Sequence, residues 1–282
     1  MYPGTRLWLP PLALAGCVRA AMLRDTRGCE LSAEQRENYF PAKPLVALIW
    51  WFSGAGQWLA RPGFSVPSAD FSAEPLMLSG PFTLPIASCN IGATHSLRLL
   101  FLPDMFQTLT GIDIAALVNR VVPAEVMLPP DWYAWATSLL ADMDDDERFG
   151  RIETFLRPRV DALRSTRPVA LRYSDWVQAL AVHAATSATG RSVRQIERRI
   201  KAWAGVPMRE LRAISRAERA FLAATPNDAT ATVNWADIAA DMDYADQSHL
   251  CRETRRLSGF SPEELRRRIQ TDEAFWAYRL WS

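Results

Sequence analysis

Cysteine is scarce and scattered in this 282-residue chain. Cys17, Cys29, Cys89 and Cys251 form no Cys-x-x-Cys pair and no Cys/His cluster, which argues against a metal site of local type. A chain this long does not need disulfides, and such cysteines suit a reducing compartment. Histidine is rare too, with three residues in all. Cys89 and His95 lie close in sequence, but no third group orients them as a nucleophile and base. Lysine is nearly absent: Lys43 and Lys201 are the only two among 32 basic residues. No apolar run reaches the ~18 residues of a spanning helix, so no membrane partner is expected. Glycine-rich phosphate loops, a Gly-x-Ser-x-Gly elbow and a His-Glu-x-x-His helix are all missing. The sequence therefore reads as neither an enzyme nor a cofactor binder.

What remains is the composition of a folded protein, 49% hydrophobic and 22% charged. The segment Leu7 to Cys17 is similar to a short lipoprotein signal, but Pro10 and Pro11 break it, and a folded-looking stretch follows Cys17. Length points to two domains. Residues 1–164 carry 14 basic and 17 acidic residues, whereas 165–282 carry 18 and 14. Within the second part, Arg191 to Arg216 holds eight basic residues against Glu197 and Glu210. A local net charge of +6 is the footprint a phosphate backbone attracts, although a solvated helix face gives the same pattern.

Residues 1–125 read as short strands separated by proline and glycine. Leu45–Phe52 is expected to be a strand ended by Ser53–Gly56, with further strands at Leu76–Leu78 and Ser96–Leu102. Strands at this spacing suggest a compact β-sandwich or small barrel. From Pro130 the periodicity turns helical, through Trp132, Trp135 and Leu139 and again through Ile152, Phe155 and Leu156. Five acids between Asp142 and Glu147 suit an exposed helix end. Trp50, Trp51, Phe52, Trp58 and Phe64 are either core or the lining of a small-ligand pocket.

The second half carries a repeated plan. Trp176, Leu180 and Ala184 form a helical stripe, Ser187–Gly190 supplies a turn, and Ser192 is a good N-cap. Val193, Ile196, Ile200 and Trp203 then fall on one face, leaving Arg194, Gln195 and Arg198, with Arg191 from the turn, pointing elsewhere. Gly205 and Pro207 stop this helix. A connecting helix over 208–224 is expected to bury Leu211, Ile214, Phe221 and Leu222. Trp235 to Met242, a turn at Asp243–Asp246, and Gln247 to Leu257 repeat the arrangement, with Gln247, Ser248, Arg252 and Arg256 outward. Two helix-turn-helix units, about 175–204 and 234–258, joined by one rigid helix can reach successive major-groove turns roughly 34 Å apart.

Ile238-Ala-Ala-Asp-Met-Asp-Tyr-Ala-Asp-Gln-Ser-His-Leu-Cys-Arg-Glu-Thr-Arg-Arg-Leu-Ser-Gly-Phe-Ser-Pro262 resembles the second helix-turn-helix of the AraC/XylS family of bacterial transcriptional regulators. Ser192 to Pro207 is similar to the first. The resemblance spans roughly 175–270 and implies DNA contacts at Arg191, Arg194, Gln195, Arg198 and Lys201 in unit one. In unit two it implies Gln247, Ser248, His249, Arg252 and Arg256. Arginine suits guanine and glutamine suits adenine in the major groove. Asp243 stands where the family has a turn glycine, and Thr254 where it has a core phenylalanine, which leaves unit two less well packed. Asn234 to Pro262 holds three arginines against five acids, so unit one is expected to supply most phosphate affinity.

The expected fold is multi-domain: a β-rich α+β N-terminal domain over 1–165, then an all-α tandem helix-turn-helix domain over 166–282. The expected function is sequence-specific transcription regulation, activation more than repression, by a bacterial, cytoplasmic protein. Its expected partners are double-stranded promoter DNA, RNA polymerase, a small-molecule effector and a second copy as homodimer. The alternatives are a DNA-binding repair protein, which needs a reactive cysteine, and a helical protein-interaction module.

Overall fold

The computed structural model describes residues 4–67, 74–163, 173–187, 192–224 and 233–280. The first half is built on one antiparallel sheet of seven strands: β1 (Thr5–Trp8), β2 (Val18–Asp25), β3 (Glu37–Phe40), β4 (Val46–Trp58), β5 (Leu76–Ser79), β6 (Ile86–Phe101) and β7 (Val121–Pro123). Strand order is β1-β2-β6-β4-β5-β7, and β3 pairs with the start of β6. No pairing among the described residues closes β1 onto β7, so the expected sandwich or barrel is instead an open sheet. The reason is length. β4 and β6 run side by side from Val46↔Phe101 to Trp58↔Ser88, and helices rather than a second sheet cover them.

The glycines at 54 and 56 do not end β4. Gly54 takes φ +76°, and the register shifts on either side of it, so the chain bulges and keeps pairing. A Cβ on Gly54 would lie 2.5 Å from the Ala93 carbonyl oxygen, so only glycine fits. The signal-like N-terminal segment is folded too: β1 pairs with β2, and Cys17 is buried with its thiol pKa pushed up by that burial.

The first-half helices are α1 (Pro103–Thr110), α2 (Ala124–Met127), α3 (Pro130–Ser138) and α4 (Asp145–Asp161). Trp50 is core: its indole donates 2.8 Å to the Ala136 carbonyl and ties the sheet to α3. The acidic run caps α4, Asp144 accepting from the Glu147 amide with acids in the first turn, where the helix dipole favours them. His95 is buried between Phe52 and Asp145, and burial lowers its pKa.

The second half is helical: α5 (Tyr173–Thr186), α6 (Val193–Ala204), α7 (Met208–Ala223), α8 (Trp235–Asp241), α9 (Gln247–Ser258), α10 (Pro262–Thr271) and α11 (Trp276–Arg279). The expected boundary at 165/166 lies outside the described residues. The two halves share one hydrophobic core, in which Trp176, Leu180, Leu211 and Leu257 join the sheet residues.

Within the expected all-α domain, no element is expected past Pro262, where the described residues form α10 and α11. Ser261 caps α10 and the chain then returns to β3, where the Trp276 indole donates 2.7 Å to Asn38 Oδ1. Beside it, Arg24 and Glu273 form a buried ion pair at 2.6 Å, and Phe275 stacks on Tyr39 at 5.0 Å between centroids. The Ser-Pro-Glu-Glu run at 261–264, followed by Phe275, Trp276 and Tyr278, was the available signal.

Candidate nucleic-acid interface and an adjoining cavity

Unit one comprises α5 and α6. Ser192 begins α6 with a full capping box: its hydroxyl accepts from the Gln195 amide, and Gln195 Oε1 accepts from the Ser192 amide. Arg194, Arg198 and Lys201 are exposed along the helix, as expected of groups that meet a phosphate-lined groove. Gln195 is half-buried, so its amide NH2 is what it can still offer a base. Arg191 lies outside the described residues. Arg199 turns back to donate 2.8 Å to the Ala184 carbonyl, locking α6 to α5. Ile200 is buried, but Val193 is 76% exposed, contrary to its expected place on the buried face. It occupies the first helical position, where its neighbours Ser192 and Arg194 are exposed as well.

Unit two comprises α8 and α9. Asp243 takes the turn at φ +61°, the left-handed geometry its place demands. Asp246 caps α9, accepting from the His249 amide at 2.6 Å. Leu250 and Leu257 are buried, and Gln247, Ser248 and Arg252 are exposed at the leading end. Two expected readers have internal roles. Arg256 donates 2.7 Å to Glu210 on α7, and His249 packs edge-on against Tyr244 while its ring nitrogen accepts from the Ala245 amide. With Arg216 bidentate on Glu253, the Arg256 pair fixes α9 to α7. Side-chain pairing across helices has no period in the sequence, which is why Arg256 looked free. Arg209 and Arg212 of α7 and Arg255 of α9 are exposed cations that periodicity did not single out.

A cavity of about 210 Å³ lies between the sheet and the second unit. None of the five aromatics expected to line a pocket contributes to it; its aromatic lining is Phe40, Tyr173, Phe221, Trp235 and Tyr278. The walls are mostly aliphatic, yet Lys43 and Arg98 line it, and no carboxylate among the described residues pairs with either. Burial, then the nearby Arg98, pushes the Lys43 pKa down to about 7. Burial and Arg24 lower that of Arg98 to about 10. The Arg98 guanidinium is held by Ser96 at 3.2 Å and by the faces of Phe40, Trp51 and Trp276. Tyr278 Oη and Arg266 Nη1, also at the wall, have no hydrogen-bond partner. The single lining carboxylate among the described residues, Glu218, is engaged by Arg19 at 3.5 Å. Thr254 borders the cavity, on the side where a larger residue would fill it.

Two capped helices, each closing a helix-turn-helix and each exposing arginine or glutamine, define a DNA-binding protein of the helix-turn-helix class. Residues 185–268 match the helix-turn-helix domain family, a match confined to the second half. The C-terminal region is an AraC-type helix-turn-helix domain, that of a DNA-binding transcription regulator.

Among solved structures, the chain is similar to an apo ToxT variant from Vibrio cholerae strain SCE256. The two are 13% identical, with 87% of this chain and 96% of that one covered and a TM-score of 0.40. ToxT from the same species in another crystal form gives 11%, 83% and 95%, and 0.39. Wild-type ToxT with an unsaturated fatty acid bound gives 10%, 82% and 94%, and 0.35. No curated protein matches the chain. Likeness this distant leaves residue roles to the chain's own geometry.

Among the described residues no group of three His, Cys, Asp or Glu side chains could hold a metal ion, and no helix is long and apolar enough to cross a membrane.

Proposed function

We propose that the protein regulates transcription by placing α6 and α9 in two major-groove segments on one face of promoter DNA. Arg194 and Arg198 read bases in the first segment, and Gln247, Ser248 and Arg252 in the second. Lys201, Arg209 and Arg212 contact phosphates. The carrying observation is the pair of capped recognition helices with these side chains exposed at their leading ends. A cytoplasmic setting follows from the need to reach the chromosome. Activation through contact with RNA polymerase, and binding as a homodimer, complete the proposal.

The β-rich domain makes this binding responsive to an effector. Supporting that reading is the cavity: apolar walls that offer hydrogen-bond donors from Lys43, Arg98, Tyr278 and Arg266, with the one acid among the described lining residues already engaged. A buried cation without a partner is costly unless an anion meets it. The effector is therefore an amphipathic carboxylic acid, head on Lys43 and Arg98 and chain along the aliphatic wall. Nuclease footprinting of selected promoter DNA, with and without dodecanoate, tests both parts. Support is a two-segment footprint whose affinity changes with the acid. A single protected segment would contradict the tandem reading.

A further inference from the structure

We infer that an occupant of the cavity acts on the second recognition helix and leaves the first in place. This rests on the effector reading above and adds which half of the DNA interface responds.

The walls draw on the two units unequally, with Tyr173 at the start of α5 the one contribution from unit one among the described residues. From the sheet side come Met22, Lys43, Arg98 and Leu100. From the helical side come the second half of α7, from Ile214 on, and the inner face of α9 through Leu250, Thr254 and Leu257. No residue of α6 takes part.

The first unit is fastened to the β-rich half elsewhere. The Trp176 indole of α5 donates 2.9 Å to the buried Asp104 carboxylate of α1. At the end of α6, Gly205 packs so closely that an added Cβ would lie 2.8 Å from Val118 and 2.9 Å from Ile114. None of these anchor residues lines the cavity, although Trp176 packs on Tyr173, which does. The connecting helix α7 begins at Met208, three residues after Gly205, so its fixed end is its N-terminus. Its far half meets β2 through Glu218–Arg19 at 3.5 Å and carries Arg216, whose pairing with Glu253, together with Arg256–Glu210, makes α7 and α9 move together.

The proposed head-group site also connects directly to α9. Ala42, next to Lys43, donates its amide 2.7 Å to the Leu257 carbonyl in the last turn of α9. An acid seated on Lys43 and Arg98 neutralises two like charges beside that contact. Its chain packs against Leu250, Thr254 and Leu257, on the face opposite Ser248 and Arg252 and one turn from Gln247. Occupancy thus pins the second unit to the sheet and fixes its spacing from the first. Without an occupant, the second unit meets the β-rich half through the Ala42–Leu257 contact, beside unfilled space.

Hydrogen exchange by mass spectrometry on the full-length protein, with dodecanoate binding followed by calorimetry, tests this. At about ten times the dissociation constant, amides of α9 and of 214–223 should exchange about tenfold more slowly. Amides of α6 should be unchanged. The footprint should change in the second segment alone. Thr254→Leu fills the cavity from α9 and should slow the same amides with no acid present. Binding accompanied by equal protection of α6, or by protection confined to the sheet, overturns the inference and leaves the effector reading standing. Absence of binding and of any exchange change removes the effector reading, and this inference with it.

Discussion

Lys43→Met should strengthen the fold and weaken effector binding at the same time. Lys43 is one of two lysines in the chain, and its ammonium lines an apolar cavity beside Arg98 with no acid among the described residues to meet it. Its pKa falls from 10.5 to about 7. The folded-state value lies below the unfolded one, so the unfolded chain binds more protons between these limits. Wild-type stability therefore rises as pH increases from about 7 to 10.5. At about 1.36 kcal/mol per unit, the ceiling on the penalty at pH 7 is roughly 4 kcal/mol. Water entering an open cavity reduces this to about 2 kcal/mol. Methionine has nearly the same reach and no charge, so urea denaturation at pH 7 should show Lys43→Met more stable by about 2 kcal/mol, with the gain vanishing near pH 10. Losing one charge-assisted hydrogen bond of about 1.5–3 kcal/mol should weaken dodecanoate binding about 10- to 100-fold. A destabilised variant with undiminished affinity would refute the reasoning, because Lys43 would then be a structural group with a partner and not an unmet cation.

Other perturbations act on separate parts. Arg198→Ala should cost about 1–3 kcal/mol in specific binding and relax preference at one site position, read by selection from a randomised operator; equal weakening on all sequences would make Arg198 a phosphate contact. Gly205→Ala, at φ +75° and against Ile114 and Val118, should lower stability by about 1–3 kcal/mol in thermal unfolding. Asp243→Gly should raise stability by up to about 1 kcal/mol by relieving a left-handed aspartate at φ +61°. Trp276→Ala, which empties a fully buried site and orphans Asn38, should cost about 3–5 kcal/mol and release α10 and α11 from β3 in hydrogen exchange.

The helix-turn-helix units were legible because their signals are local. Ser192 with Gln195, Gly205, Asp246 and Gly259 mark helix ends within four residues of the groups they satisfy, and the structure uses each of them so. The β-rich half was legible as strands but not as a sheet. Gly54 reads as a turn in sequence, and only the approach of Ala93 from β6 makes it a bulge. The exposure of Val193 depends on where α6 outruns its neighbours, which periodicity does not record. Arg256 and His249 differ from Arg252 only in what lies across from them. The cavity was invisible for the same reason: Lys43, Arg98 and Thr254 meet from three distant stretches of chain.

The central claim is that two recognition helices engage one face of DNA, and one measurement addresses it most directly. Purified full-length protein would be used to select fragments from genomic DNA, and the best fragment footprinted at two salt concentrations. The account predicts two protected major-groove segments about one helical turn apart, roughly 34 Å, both weakening as salt rises. Enrichment of a site with a single protected segment, or no selection by the folded protein with or without dodecanoate, would contradict it.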